Sequence, residues 1–171
     1  MKSTLFATSR LRVRHLQPED FEPFHEMQGN QRVMQYTTGV AATAEEDRAD
    51  LQRVIGYYND PNNTFWVWAI ESIPGGEFVG TCALIRNPQG ENEIGYRLLE
   101  RFWGNGYGRE ITDGLIDYAL GERQLDHLVA YVNCENLASV RILEQSRFRF
   151  VREFYNEEER CMDRYYRIER S

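Results

Sequence analysis

The stretch RFWGNGYGREI, residues 101–111, sets glycine at 104, 106 and 108 and runs directly into a pattern with helical spacing. Glycine costs a helix about 1 kcal/mol relative to alanine, so a cluster of glycines at a helix entry answers a steric or conformational demand. Two demands fit. A tight strand-to-helix turn needs residues that accept positive φ. Alternatively, a ligand approaches the backbone closely. The first four N–H groups of a helix lack intrahelical partners and lie at the positive end of the macrodipole, so bare backbone there forms an anion site, with phosphate the expected anion.

The rest of the chain supplies the strands and helices around this loop. Leu11, Val13 and His15 alternate with arginines, the period-2 pattern of a first strand. QPEDFEPFHEMQGN opens on Pro18 and acids and ends at Gly29-Asn30, a helix that Pro23 shortens or kinks. TAEEDRADLQRVIGYYND carries a capping box, Thr43 with Glu46, and sets Leu51, Val54, Ile55 and Tyr58 at helical spacing. Beyond Asp60-Pro61, the runs TFWVWAIE, EFVGTCALI and ENEIGYRLL are β-rich and joined by turns with Pro and Gly, an antiparallel meander. After the glycine loop, Tyr107, Ile111, Leu115, Tyr118 and Ala119 share one helical face, with Gly121 as the stop. HLVAYVN is a further strand, NLASVRILEQS a helix, and FRFVREFY and DRYYRIER a closing strand pair across the acidic turn NEEER. This order is an α/β sheet of mixed direction. The fourth and fifth strands, joined through a helix, are parallel neighbours, and the glycine loop lies beside them.

Composition narrows the function classes. A chain of 171 residues fits one domain spanning 1–171 and buries a core without metals or disulfides. No apolar run approaches the roughly 18 residues of a membrane span, and MKSTLFATSRLRV lacks the apolar core of a secretory signal, so a cytoplasmic location is expected. Cys82, Cys134 and Cys161 are odd in number and widely spaced, and His15, His25 and His127 show no ligand spacing; no disulfide framework and no metal are expected. With 20 Lys plus Arg against 27 Asp plus Glu, the net charge of -7 argues against nucleic acid and suits a cationic substrate.

Which phosphate ligand the loop takes is read by elimination and then by likeness. A dinucleotide fingerprint needs glycine where Arg109 stands, and a P-loop needs G-K-[ST], which is absent. WGNGYG, Trp103–Gly108, resembles the pyrophosphate loop Q/R-x-x-G-x-G/A of the GNAT superfamily of acyl-CoA-dependent N-acetyltransferases, with Trp103 departing at the first position. In that register Gly106 and Gly108 are the motif pair; Arg101 opens an alternative register. FWGNGYGRE, TSRLRVRHLQPEDF, VMQYTTG, VGTCALI and ENEIGYRLL are similar to the branch that acetylates ribosomal-protein N-termini, the RimJ/RimL type. VNCENLASVRILEQSRFRFV is similar to its N-x-x-N-x-x-S-x-x-x-L-E-x-x-G-F segment, with Arg147 at the usual glycine.

The resemblance implies a mostly antiparallel seven-stranded sheet with about four helices, its fourth and fifth strands splayed. It also implies acetyl-CoA as cosubstrate, an amine acceptor (protein N-terminus or small molecule) and a monomer or homodimer. The pyrophosphate would lie on Trp103, Gly104, Asn105, Gly106, Tyr107, Gly108 and Arg109. The pantetheine would follow the strand edge at Tyr96, Arg97 and Leu98, with Asn133 and Asn136 on the facing wall. Acetyl transfer to an amine needs a base and a proton for the departing thiolate. Glu93 is the candidate base, on the fourth strand just before the pantetheine edge, and Glu91 shares its face. Ser139 is the candidate acid, because the next helix has no tyrosine between Asn136 and Ser146. Cys134, as a covalent acyl carrier, has no neighbouring His base. Trp66, Trp68, Phe65, Tyr36 and Tyr131 are candidates for an acceptor pocket or for the core. The competing function is a non-catalytic acyl-CoA-binding module that keeps the loop without the chemistry.

Overall fold

The computed structural model describes residues 3–171, so the first two residues of the stretch read for a signal lie outside it. The strands are β1 (Thr4–Ala7), β2 (Leu11–His15), β3 (Phe65–Ser72), β4 (Phe78–Arg86), β5 (Asn92–Leu98), β6 (His127–Asn133), β7 (Arg149–Asn156) and β8 (Cys161–Glu169). The helices are α1 (Phe21–Gln28), α2 (Gln31–Met34), α3 (Ala44–Tyr57), α4 (Tyr107–Ile116) and α5 (Leu137–Gln145). One 8-stranded sheet has the order β1-β2-β3-β4-β5-β6-β8-β7. Every neighbouring pair is antiparallel except β5 and β6.

The sheet has one strand more than the expected seven. β1 spans four residues and pairs with β2 through an irregular register, too short a run to show alternation. The helix count also exceeds the expected four, because Asn30 caps the single turn of α2 by accepting from the Arg32 backbone N–H. Pro23 sits in the first turn of α1, where no intrahelical N–H is needed, and the helix is short, at 8 residues. Gly121 does not stop the helix after the loop. That helix widens into a π-helical segment, Asp117–Glu122, with Arg123 N–H bonded to the Tyr118 carbonyl, and the left-handed residue beyond it is Gln124 at φ 57.

The two faces of the sheet carry separate cores. On one side Ile111, Leu115 and Leu143 of α4 and α5 pack with Trp68, Cys82, Ile94 and Leu128. On the other, Phe24 and Met27 of α1 and Leu51 and Val54 of α3 pack on Ala69 and Phe78. The capping box of Thr43 and Glu46 starts α3 as the sequence indicates. Alternation along β5 divides its residues between these layers: Ile94, Tyr96 and Leu98 pack with the α4/α5 core, and Glu93, Gly95 and Arg97 take the α1/α3 face. Among the described residues no helix is long and apolar enough to cross a membrane.

Candidate functional site

The parallel pair β5·β6 is joined at a single position, Glu93 opposite Val129. Beyond it the strands part, which leaves the β5 edge without a strand partner. In the antiparallel ladder Leu99 N–H donates to the Val79 carbonyl, so alternate residues turn their backbone groups toward β4. Ile94, Tyr96 and Leu98 therefore present theirs to the gap. The Leu98 carbonyl accepts from the Trp103 indole at 3.1 Å, so Trp103 closes the end of that edge.

The glycine loop lies at the head of this gap, and its glycines answer different demands. Gly104 and Gly106 hold left-handed φ of 77 and 82. Gly108 instead answers to close packing: a Cβ there would meet Tyr96 Oη and Ile142 Cδ1, each at 2.9 Å. The first helical hydrogen bond at this end is Glu110 N–H to the Gly106 carbonyl, at 3.1 Å. Among the described residues no partner takes the backbone N–H of any residue from Gly104 to Arg109. Such a row of free donors at a helix start fits a pyrophosphate. The Asn105 side chain is spent on the loop, donating to the Phe102 and Trp103 carbonyls. Arg109 reaches Gln145 and stays exposed. Sequence reasoning missed Arg10, whose guanidinium lies over the Tyr107 ring, pairs with Glu110 and comes within 3.3 Å of a Cβ built on Gly106. No local motif signals it, because it stands 100 positions before Glu110 in the chain.

A cleft of about 690 Å³ runs through the gap and under the α1/α3 layer. Glu93, Tyr96, Arg97, Asn133, Asn136 and Ser139 all line it. The Asn136 side chain caps α5, accepting from the Ser139 N–H, and Asn133 Oδ1 accepts from the Glu135 N–H. Ser139 Oγ and Tyr96 Oη are 3.3 Å apart. Burial raises the Tyr96 pKa and the Ser139 contact opposes it, so Tyr96 stays a protonated phenol. A tyrosine hydroxyl, absent from the helix between Asn136 and Ser146, is brought beside Ser139 from β5.

Glu91 and Glu93 share a bonding partner, Asn87, and differ in their other neighbours. Burial raises the Glu93 pKa from the ordinary 4.5; Asn87, donating at 3.3 Å, opposes the rise, and the charges of Glu91 and Asp163 add to it. Burial also pushes Glu91 up, but hydrogen bonds from Tyr165, Tyr131 and Asn87 and the charge of Arg167 outweigh it, so Glu91 is held below the ordinary value. The surroundings thus favour the anion at Glu91 and disfavour it at Glu93. Of the aromatic candidates, Phe65, Tyr36 and Tyr131 line the cleft. Trp68 is fully buried and Trp66 packs on the core, so both belong to the interior. Cys134 lies beside Glu153, and burial and that carboxylate raise its pKa. Among the described residues no cluster of His, Cys, Asp and Glu suits a metal ion.

Comparison with known proteins agrees with this geometry. Residues 10–149 match the family model described as an acetyltransferase (GNAT) domain. The chain is 30% identical over 149 residues to the uncharacterized protein YkkB of Bacillus subtilis, covering 83% of each chain. A GNAT-family acetyltransferase structure from Bacillus anthracis superposes with a TM-score of 0.84 at 22% identity, over 96% of this chain and 97% of that one. A ribosomal L7/L12 α-N-protein acetyltransferase, RimL, in complex with coenzyme A superposes with a TM-score of 0.82 at 17% identity, over 98% of each. The splayed parallel pair, the orphaned amides at the entry of α4 and the matched residues lead to one assignment: the chain belongs to the GNAT acetyltransferase family, for which acetyl-CoA is the donor.

Proposed function

We propose that this chain is an N-acetyltransferase that moves the acetyl group of acetyl-CoA to a primary amine by direct attack in a ternary complex. The observation that carries the reading is Glu93, a partly buried carboxyl with a raised pKa, set where β5 and β6 part and lining the cleft. In this reading the backbone N–H groups of Gly104 to Arg109 hold the pyrophosphate, and the open edge at Ile94 and Tyr96 holds the pantetheine arm. Bound acetyl-CoA supplies the thioester carbonyl.

The acceptor arrives as an ammonium, and Glu93 takes a proton from it, directly or through one water. The nitrogen forms a bond to the carbonyl carbon, the carbon–sulfur bond breaks, the sulfur leaves with that electron pair, and the nitrogen then sheds its second proton, which makes good the one given to the thiolate. The Ser139–Tyr96 hydroxyl pair is the proton source for the thiolate, Ser139 being the nearer to the α5 entry. Direct attack is favoured over a Cys134 acyl intermediate because burial and Glu153 keep that sulfur protonated. The three cysteines are free thiols and the chain is read as one cytoplasmic domain.

RimL, by its title, acts on a ribosomal protein N-terminus, so both N-terminal peptides and small amines belong in the test. The experiment is amine-dependent release of free coenzyme A thiol from acetyl-CoA, followed over both panels. Release with at least one amine is the expected result. Coenzyme binding without release for any of them would reassign the chain as a non-catalytic acyl-CoA-binding module.

A further inference from the structure

Arg97 lines the cleft with Glu46, Asp47, Asp50 and Arg53, charged groups that neither the coenzyme nor the proton transfers use, and it is the one that lies on β5 beside Glu93. Its side chain leaves β5 on the α1/α3 face, away from Tyr96, Gly108 and the amides at the α4 entry, so the coenzyme's phosphates are not its partner. Its single hydrogen bond among the described residues runs from Nη1 to Gln28 Oε1 at 2.6 Å, a neutral acceptor. Neither nearby carboxylate pairs with it. Asp47 is bonded to His25 Nδ1 at 2.6 Å and to Gln28 Nε2 at 2.7 Å; Asp50 is bonded to Arg53 and to Gln28 Nε2.

A partly buried guanidinium whose only bonded acceptor is an amide oxygen, with two carboxylates near but engaged elsewhere, is electrostatically incomplete. Burial lowers its pKa, and Asp50 and Asp47 restore only part of the loss. The only sealed side-chain nitrogens without a partner among the described residues are Asn63 Nδ2 and Trp68 Nε1. The unused Nε and Nη2 donors of Arg97 therefore reach open space, and the residue lines the cleft. The same strand face carries Glu93, with Gly95 between them. A Cβ built on Gly95 meets nothing within 4 Å, and its cross-strand partner is Ala83. Glu93 and Arg97 thus stand at two ends of a floor of small residues, about 13 Å apart along the strand at the usual rise and less across their long side chains.

We propose that Arg97 binds a carboxylate on the acceptor, so that the substrate is a small amino-acid-like molecule whose amine reaches Glu93 while its carboxylate completes the Arg97 guanidinium. Planar bidentate pairing is what an arginine offers a carboxylate and what Gln28 cannot satisfy. This inference rests on the acetyltransferase reading for the role of Glu93, but carboxylate binding is measurable without turnover.

The test uses the full chain loaded with coenzyme A and a matched panel: ω-amino acids with one to five methylenes, L-lysine and L-glutamate, each beside its carboxamide or decarboxylated counterpart. Calorimetry reads binding and thiol release from acetyl-CoA reads turnover. At least one acid binds about tenfold tighter than its neutral counterpart, and Arg97→Gln removes that preference while leaving coenzyme A affinity unchanged. Arg97→Lys, which keeps the charge without the fork, retains part of it. Acid preference without thiol release would leave carboxylate recognition standing and remove the acetyl-transfer reading for those amines. Equal binding of acids and counterparts, no binding of any acid, or an equal loss for both in Arg97→Gln would overturn the proposal. Should Arg97→Gln fail to fold, the wild-type comparison and Arg97→Lys decide it.

Discussion

Glu91 and Glu93 both accept from the Asn87 side chain, and the surroundings give them opposite tendencies. The raised pKa of Glu93 has two consequences of definite sign. Because the folded chain holds this proton more tightly than the unfolded one, stability falls as pH climbs from the ordinary 4.5 through the folded value. Glu93→Gln should remove that decline, so its melting temperature should equal or exceed that of the wild type at neutral pH. Turnover should fall mainly on the acid side of the profile, where free amine is scarce, and recover as pH rises. Equal activity at all pH values would sink the assignment of Glu93 as base. The paired hydroxyls invite a cycle: if Ser139 and Tyr96 act together, Ser139→Ala and Tyr96→Phe should each slow turnover and the double change should cost less than their product.

The loop before α4 is an element whose glycines are separable by experiment. A valine at Gly106 forces a β-branched residue into left-handed backbone, and at Gly108 it drives atoms into Tyr96 and Ile142. Gly106→Val should weaken coenzyme A binding by about 1–2 kcal/mol, the worth of one or two charge-assisted hydrogen bonds, in a chain that still folds. Gly108→Val should also destabilise the fold by about 1–3 kcal/mol through overpacking, read as a lower melting temperature. Unchanged coenzyme affinity in folded Gly106→Val would remove the loop from the site. α3 offers a control remote from the loop: Thr43→Ala breaks its capping box and should cost about 1 kcal/mol of stability without touching coenzyme affinity.

At the scale of the molecule, a buried charge network ties β2 and β3 to the turn before α1. Arg14, 2% exposed, bonds both Asp20 and Glu71, and Glu71 also takes Arg12. Burial pushes Glu71 up, but Arg14 and Arg12 together hold it below 4.5. A depressed folded pKa means stability that is present above 4.5 and lost as pH falls through the folded value. Acid unfolding followed by circular dichroism should therefore begin below about 4.5, and Glu71→Gln should flatten that limb while lowering neutral stability by about 1–3 kcal/mol, since Arg14 loses one carboxylate and keeps Asp20. An acid limb identical to wild type in Glu71→Gln would show that other carboxylates govern it.

Much of the local order was legible in the chain: the capping box of α3, the meander, the glycines and the helix they introduce, and the parallel relation of the strands around them, although Gly121 did not act as the helix stop its residue type suggested. Glycine spacing alone left turn and anion site undivided, and the fold shows why, since Gly104 and Gly106 answer to φ and Gly108 to packing from Tyr96 and Ile142. β1 and the turn of α2 were too short to carry a period. The different proton affinities of Glu91 and Glu93, the contact of Tyr96 with Ser139, and Arg10 at the loop come from residues 40 to 100 positions apart, so no local pattern encodes them. Arg97 is the clearest case. The sequence placed it on the pantetheine edge, where its backbone belongs to β5, but strand alternation and the packing of α1 and α3 turned its side chain to the other face, beside Gln28 and short of a counter-charge. Residue type and spacing determined which elements form and that amides would gather at one helix start; burial and long-range pairing, which set solvation and charge at each side chain, decided which residues have a proton or a donor to offer.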